Sequence, residues 1–193
     1  MANGDDMMDQ KELAKNIKLI IMDVDGTLSD GRFFMFPNGE VVKTFDVKDG
    51  TGIVFAGLAG IKTAIISGKN SKTVQMRAEE LHIDDYYEGV SNKTVPFVEL
   101  LKKYDLTKEE VAYIGDDIGD AEVMGMVGFS AAVGDAHPLI KRISHYIAKR
   151  YGGRGAVREV IDFILDVQEK WPSIFAKLKS SKDVDEVMRK INS

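Results

Sequence analysis

Asp23 and Asp25, with one residue between them, stand at the end of the apolar run Leu-Ile-Ile-Met, and Gly26-Thr27 follows them directly. Further along, Asp116, Asp117 and Asp120 crowd the stretch Gly-Asp-Asp-Ile-Gly-Asp. Like charges this close repel unless a cation or a shared proton lies between them. Clustered carboxylate oxygens, with no sulfur or imidazole in either stretch, suit a hard cation, Mg²⁺ foremost. Magnesium takes few protein ligands and leaves room for a phosphate oxygen, which points to phosphoryl transfer. In that chemistry one aspartate attacks phosphorus and the aspartyl-phosphate is later hydrolysed. The other aspartate protonates the leaving oxygen and then activates water. Ser67 and Gly68 offer a hydroxyl and backbone N–H groups to phosphate oxygens, with Thr27 as a further phosphate candidate. Lys93, just ahead of an expected helix, is the candidate for neutralising charge as the transition state spreads it over phosphate oxygens. Lys69 and Arg154 are further candidates for an anionic substrate.

The elements that must hold these groups alternate. Residues 19–22 form a short apolar run that suits a buried parallel strand. Residues 32–45 read as a β-hairpin whose Asn38-Gly39 pair is expected to make a two-residue turn. A helix closed by Gly60, a strand over 62–67 and a helix over 71–82 follow. A short strand is a further option ahead of Lys93. A helix over 94–104 has Thr94 as its cap and Pro96 in its first turn. Strands at 111–117, 129–134 and 145–149 and a helix over 155–171 complete the series. Strands alternating with helices predict parallel βαβ units, hence an α/β, doubly wound, Rossmann-like parallel sheet carrying a hairpin insertion at about 31–48. Ligands bind such sheets beyond the carboxyl ends of the strands. Asp-Val-Asp-Gly-Thr, Ser-Gly-Lys and Gly-Asp-Asp all end predicted strands, so all three should converge on one edge.

The chain has 193 residues, 44% hydrophobic and 30% charged, with a net charge of −5. That fits one domain with one core. It carries no basic footprint for nucleic acid. Without cysteines, disulfides, thiolate metal sites and thiol nucleophiles are excluded. The first residues lack the apolar stretch of a secretory signal, and no run approaches a membrane span, so a cytoplasmic protein is expected. Residues 1–16 read as a polar leader, 17–170 as the domain, and 171–193 as a surface extension with an optional short helix over 182–191.

In order along the chain, Asp-Val-Asp-Gly-Thr, Ser-Gly-Lys, Lys93 and Gly-Asp-Asp-Ile-Gly-Asp resemble the four motifs of the haloacid dehalogenase superfamily of phosphohydrolases. Three longer stretches, over residues 31–53, 115–141 and 151–165, are similar to the 3-deoxy-D-manno-octulosonate 8-phosphate phosphatases within it. The resemblance spans roughly residues 16–170. It implies Asp23 as nucleophile and Mg²⁺ ligand, Asp25 as acid/base and backbone-carbonyl ligand, and Asp116 completing the metal site. Ser67 and Lys93 would hold phosphate, with Asp117 and Asp120 in weaker supporting roles. Lys69 departs from the Arg common in that family, and the two side chains are not interchangeable at a bidentate site. The resemblance also implies no large cap domain, but a homotetramer in which a neighbour's hairpin helps cover the site. The apolar Phe-Phe-Met-Phe strand supplies a physical motive for such burial. The expected reaction is release of phosphate from an acidic sugar phosphate of lipopolysaccharide precursor synthesis. A nine-carbon sialic-type 9-phosphate is the alternative substrate. A receiver-like domain or a non-catalytic oligomeric scaffold is the alternative of another class. The expected role of Arg154, on its glycine-rich segment, is to reach a substrate carboxylate.

Overall fold

The computed structural model describes residues 10–180. Six strands form one parallel sheet in the order β5-β4-β1-β6-β7-β8. They are β1 (Leu19–Met22), β4 (Lys62–Ile66), β5 (Asp85–Tyr87), β6 (Val111–Gly115), β7 (Phe129–Ala132) and β8 (Tyr146–Ile147). A separate antiparallel pair joins β2 (Phe33–Met35) to β3 (Val41–Lys43). The helices are α1 (Val47–Leu58), α2 (Lys72–Glu80), α3 (Thr94–Tyr104), α4 (Ala121–Met124), α5 (Pro138–Ile143), α6 (Ala156–Val167) and α7 (Trp171–Ser180). Every residue of β1, β6 and β7 is buried. Successive side chains point to opposite faces of a sheet, so such strands must be covered on both sides. The expected doubly wound architecture with a hairpin insertion is the one observed.

From β1 the chain reaches β4 on one side, and later returns to β6 on the other. The register pairs Met22 with both Ile65 and Ile114. The residues just beyond β1, β4 and β6 therefore leave the sheet at one level, at the point where strand order reverses. That is where open α/β sheets leave a crevice. Asp85-Tyr86-Tyr87 supplies the further short strand; it is an edge of three half-buried residues, too short and polar to show an apolar run.

The hairpin turn differs from the expected two-residue corner. Gly39 N–H donates to Phe36 O at 2.9 Å, and Phe36 N–H to Glu40 O at 2.9 Å. Pro37 and Asn38 occupy the corner, and Gly39, at φ +84°, takes the left-handed position after it. Proline's fixed φ suits the first corner position, and the glycine supplies the conformation a three-residue loop needs. Lys93, not Thr94, occupies the N-cap position of α3 and makes no side-chain cap; Thr94 N–H and hydroxyl both donate to Asn92 Oδ1.

Residues 10–14 are helical, with Ala14 buried. The expected surface extension opens with α7, which packs on α1 through fully buried Ile174 and an edge-to-face contact of Trp171 with Phe55. A helix this short is marginal alone, and burial of an apolar side chain against the core is what helps to hold it. Residues 182–191 lie outside the described residues.

Candidate active site

Asp23 follows β1 directly, and its N–H donates to Ile114 O of β6 at 3.0 Å, which seats it over the crevice. Its side chain does not continue the strand's alternation into Asp25. The backbone turns instead, with Thr27 and Ser29 both donating to Val24 O and Gly26 at φ +100°. The two aspartates therefore have different surroundings, where extended geometry would have aimed them the same way. Asp23 joins Asp116 and Asp120: one oxygen from each lies within 4.8 Å of the others. Asp25 is paired with Lys43 at 2.6 Å and Lys69 at 3.7 Å.

Lys93 reaches into the acid cluster from the start of α3. Its ammonium lies 2.5 Å from Asp23 Oδ1 and 2.6 Å from Asp120 Oδ1. Burial works against its charge, but the two carboxylates outweigh burial and hold its pKa above the ordinary value. Burial, then the nearby Asp120, raises Asp23 to about 6 against the pull of Lys93. Burial, then Asp23 and Asp120, raises Asp116 to about 8. Three acids with one ammonium thus favour uptake of further positive charge, and an all-oxygen donor set fits Mg²⁺.

Asp120 is the organiser of this cluster. It is buried and accepts Lys93, the Tyr113 hydroxyl at 2.7 Å, and the backbone N–H groups of Asp116 at 3.0 Å and Asp117 at 3.3 Å. Those bonds shape the turn after β6 and leave Asp23 and Asp116 as the less committed oxygens. Asp117 is exposed and caps the following turn through Ile118 N–H. Thr27 is fully buried and donates to Asp116 Oδ1 at 3.1 Å. Ser67 is buried at the end of β4, its hydroxyl donating to Lys69 O and accepting Lys69 N–H around Gly68. Arg154 is exposed and 3.3 Å from Asp30.

Its loop nonetheless packs on the first motif. Gly153 N–H donates to Thr27 O at 2.8 Å, and a Cβ on Gly152 would lie 1.6 Å from Gly26 O. Only glycine permits that approach. Two participants were missed from sequence. Tyr113 reads as a core residue in a buried strand, and its hydroxyl is invisible to periodicity. Lys43 carried a signal: it is the lone charge between Val42 and Thr44 on an otherwise apolar strand. Beside Asp25, a cleft of about 620 Å³ opens between the hairpin and residues 69–76, lined by Lys43, Lys69, Lys72, Asn70, Phe33 and Met76 among others.

A family model for haloacid dehalogenase-like hydrolases matches residues 40–128. The chain is 50% identical over 157 residues to the 3-deoxy-D-manno-octulosonate 8-phosphate phosphatase of Escherichia coli K12, covering 81% of this chain and 84% of the relative. The crystal structure of the Yersinia pestis 3-deoxy-D-manno-octulosonate 8-phosphate phosphatase matches with a TM-score of 0.84 at 48% identity, over 85% of this chain and 89% of that one. A Moraxella catarrhalis phosphatase of the same name, solved with magnesium, phosphate and the KDO molecule, matches with a TM-score of 0.85 at 38% identity, over 89% and 99% of the two chains.

Proposed function

Since the chain belongs to the haloacid dehalogenase-like hydrolases, among the 3-deoxy-D-manno-octulosonate 8-phosphate phosphatases, we propose that it releases phosphate from that eight-carbon acidic sugar phosphate through a phosphorylated Asp23. The observation that carries this reading is the cluster of Asp23, Asp116 and Asp120 around Lys93, at the carboxyl ends of β1 and β6. Asp23 and Asp116 would hold Mg²⁺, together with the backbone carbonyl of Asp25. When bound, the ion supplies charge stabilisation to the phosphoryl oxygens.

The chain's own groups account for the remaining steps. An oxygen of Asp23 attacks phosphorus and the bond to the sugar oxygen breaks. Asp25, protonated at that stage, gives its proton to the departing alkoxide and is left as the carboxylate that Lys43 and Lys69 pair. Water then attacks phosphorus and passes a proton to Asp25, the bond to Asp23 breaks, and inorganic phosphate leaves. Lys93 stays beside Asp23 throughout, its charge held by Asp120, and neutralises the phosphoryl oxygens. Ser67 and the N–H groups around Gly68, at the end of β4, are the candidates for holding phosphate in place. The cleft beside Asp25 suits an acidic sugar, because Lys69 and Lys72 line it together with Phe33 and Met76. Lys69 stands where Arg is common in this family, and the two are not interchangeable at a bidentate site; a nine-carbon sialic-type 9-phosphate is the alternative substrate. Exposed Phe33, Phe34, Met35 and Phe36 support a homotetramer that buries the hairpin.

The test is a phosphate-release panel with and without Mg²⁺, using the octulosonate 8-phosphate, a sialic-type 9-phosphate, hexose phosphates and an Asp23→Asn control. Mg²⁺-dependent turnover of the first compound, lost in the control, is the expected result. Turnover of the 9-phosphate instead keeps the mechanism and changes the substrate. A long-lived phosphoaspartate without turnover indicates a receiver, and no reaction at all in folded protein indicates a scaffold.

A further inference from the structure

We propose that Lys43, on β3 of the hairpin, is a positioning residue for Asp25, so that the seating of the hairpin sets the proton transfer to the leaving sugar. This rests on the reading of Asp25 as the acid/base. The hairpin is an exposed element: Phe34 is 64% and Met35 70% accessible. Lys43 is its exception, with a side chain 3% accessible. Lysine is among the side chains least often buried, and when buried it is paired. Here the ion pair is with Asp25 Oδ1 at 2.6 Å, and the ammonium makes no hydrogen bond of good geometry to any described residue. An ammonium in that setting is costly to keep, and the group it keeps in place is Asp25.

The other cation near Asp25 is a weaker hold. Lys69 stands at 3.7 Å with a side chain 66% accessible, so solvent screens it and many rotamers are open to it. Nor does the acid cluster hold Asp25, since its side chain is not among those that meet around Lys93. The motif backbone turns at Gly26, which leaves the carboxylate between two elements, the hairpin and the loop after β4. Of those two contacts the hairpin's is the short, buried one. Lys43 does not need to touch the reacting atoms for this role; it acts through where it holds the Asp25 carboxyl.

Leaving-group chemistry separates this from a role in folding alone. Breaking the phosphorus–oxygen bond of a sugar phosphate releases a strongly basic alkoxide, which needs a proton at that moment. A nitrophenolate leaves without one. A misplaced Asp25 therefore slows attack on an alkyl phosphate far more than attack on p-nitrophenyl phosphate. The quantity to compare is kcat/KM, which reports steps up to the first irreversible one and so excludes the later hydrolysis that all substrates share.

The experiment uses full-length wild type, Lys43→Met and Lys43→Arg, with the octulosonate 8-phosphate and p-nitrophenyl phosphate as substrates. Sedimentation and circular dichroism check assembly and fold. We expect Lys43→Met to lower kcat/KM for the sugar phosphate by about 10²-fold, within the range that general acid–base catalysis contributes, and for the nitrophenyl ester by far less. Lys43→Arg, which keeps the charge, is expected to recover part of the ratio. Equal losses on both esters in folded protein overturn the proposal and leave Lys43 a structural counter-ion. If Lys43→Met does not fold, Lys43→Gln takes its place, and an unchanged ratio there overturns it equally. Wild type that releases phosphate from neither ester refutes the phosphatase reading itself, an outcome distinct from failure of the Lys43 role.

Discussion

At Lys93 two buried carboxylates converge on one ammonium, while Asp116 stands beside them with no cation of its own among the described residues. This imbalance gives single substitutions opposite signs. Asp23→Asn removes one of the repelling charges, so the metal-free protein is expected to gain about 1–2 kcal/mol, a few degrees in Tm, while activity is lost. Its Mg²⁺-induced rise in Tm should shrink as well. Lys93→Met leaves the carboxylates uncompensated and is expected to cost about 3–5 kcal/mol in the absence of metal. Melting curves in chelator and in Mg²⁺ check both. If Asp23→Asn lowered the metal-free Tm, Asp23 would instead be serving the fold. The same residues show how far sequence reaches at this scale. Two acids with one residue between them identify the chemistry, but which of them meets Asp116 depends on a turn that spacing does not encode.

Helix α1 and helix α6 are joined through one buried carboxylate, and this connection places the loop that carries Arg154. Asp49, in the first turn of α1, is 1% accessible and accepts Arg158 N–H at 2.8 Å and Gly155 N–H at 3.1 Å. It thereby satisfies N–H groups that would otherwise be unpaired at the start of α6. Burial raises its pKa from 3.8 to about 6, against the pull of those two N–H groups. Between these values the folded chain holds a proton that the unfolded chain has released, so Asp49 makes stability fall as pH rises across that window. An amide in its place has no proton to release over this range. The stability of wild type relative to Asp49→Asn is therefore expected to decline by on the order of 2–3 kcal/mol from about pH 4 to about pH 6.5, then level off. Urea titrations of both proteins across that range measure it. A difference independent of pH would mean that Asp49 is already ionised in the folded chain at the acid end of the range.

For the molecule as a whole, the sheet is covered on both faces while the hairpin projects from it. Phe33, Phe34, Met35 and Phe36 together make an apolar surface of the kind that marks an interface. Phe34→Ser with Met35→Ser should leave the fold intact, because neither side chain packs in the core. It is expected to shift the proposed tetramer to smaller species at micromolar concentration, read by sedimentation velocity. A wild-type monomer under those conditions would refute the assembly. No helix among the described residues is long and apolar enough to cross a membrane.

What the sequence determined by itself was the order of elements and the chemistry at their ends. Buried parallel strands such as Leu19–Met22 and Val111–Gly115 are apolar throughout, and a polar cluster after each is conspicuous because the core would reject it. The hairpin was legible from its aromatic residues and Asn-Gly pair, though the corner fell on Pro37 and Asn38, since proline's fixed φ decided the turn. Tertiary structure alone decided the rest. It placed Asp120 as organiser of the cluster, with Tyr113 bonded to it from within the core. It separated Asp23 from Asp25 and brought Lys43 to Asp25 from the far strand of the hairpin. It also docked α7 by Ile174 where an extension was expected. Local pattern records which face of an element is apolar; partner identity arises only when two elements close on each other, and each of these contacts spans elements.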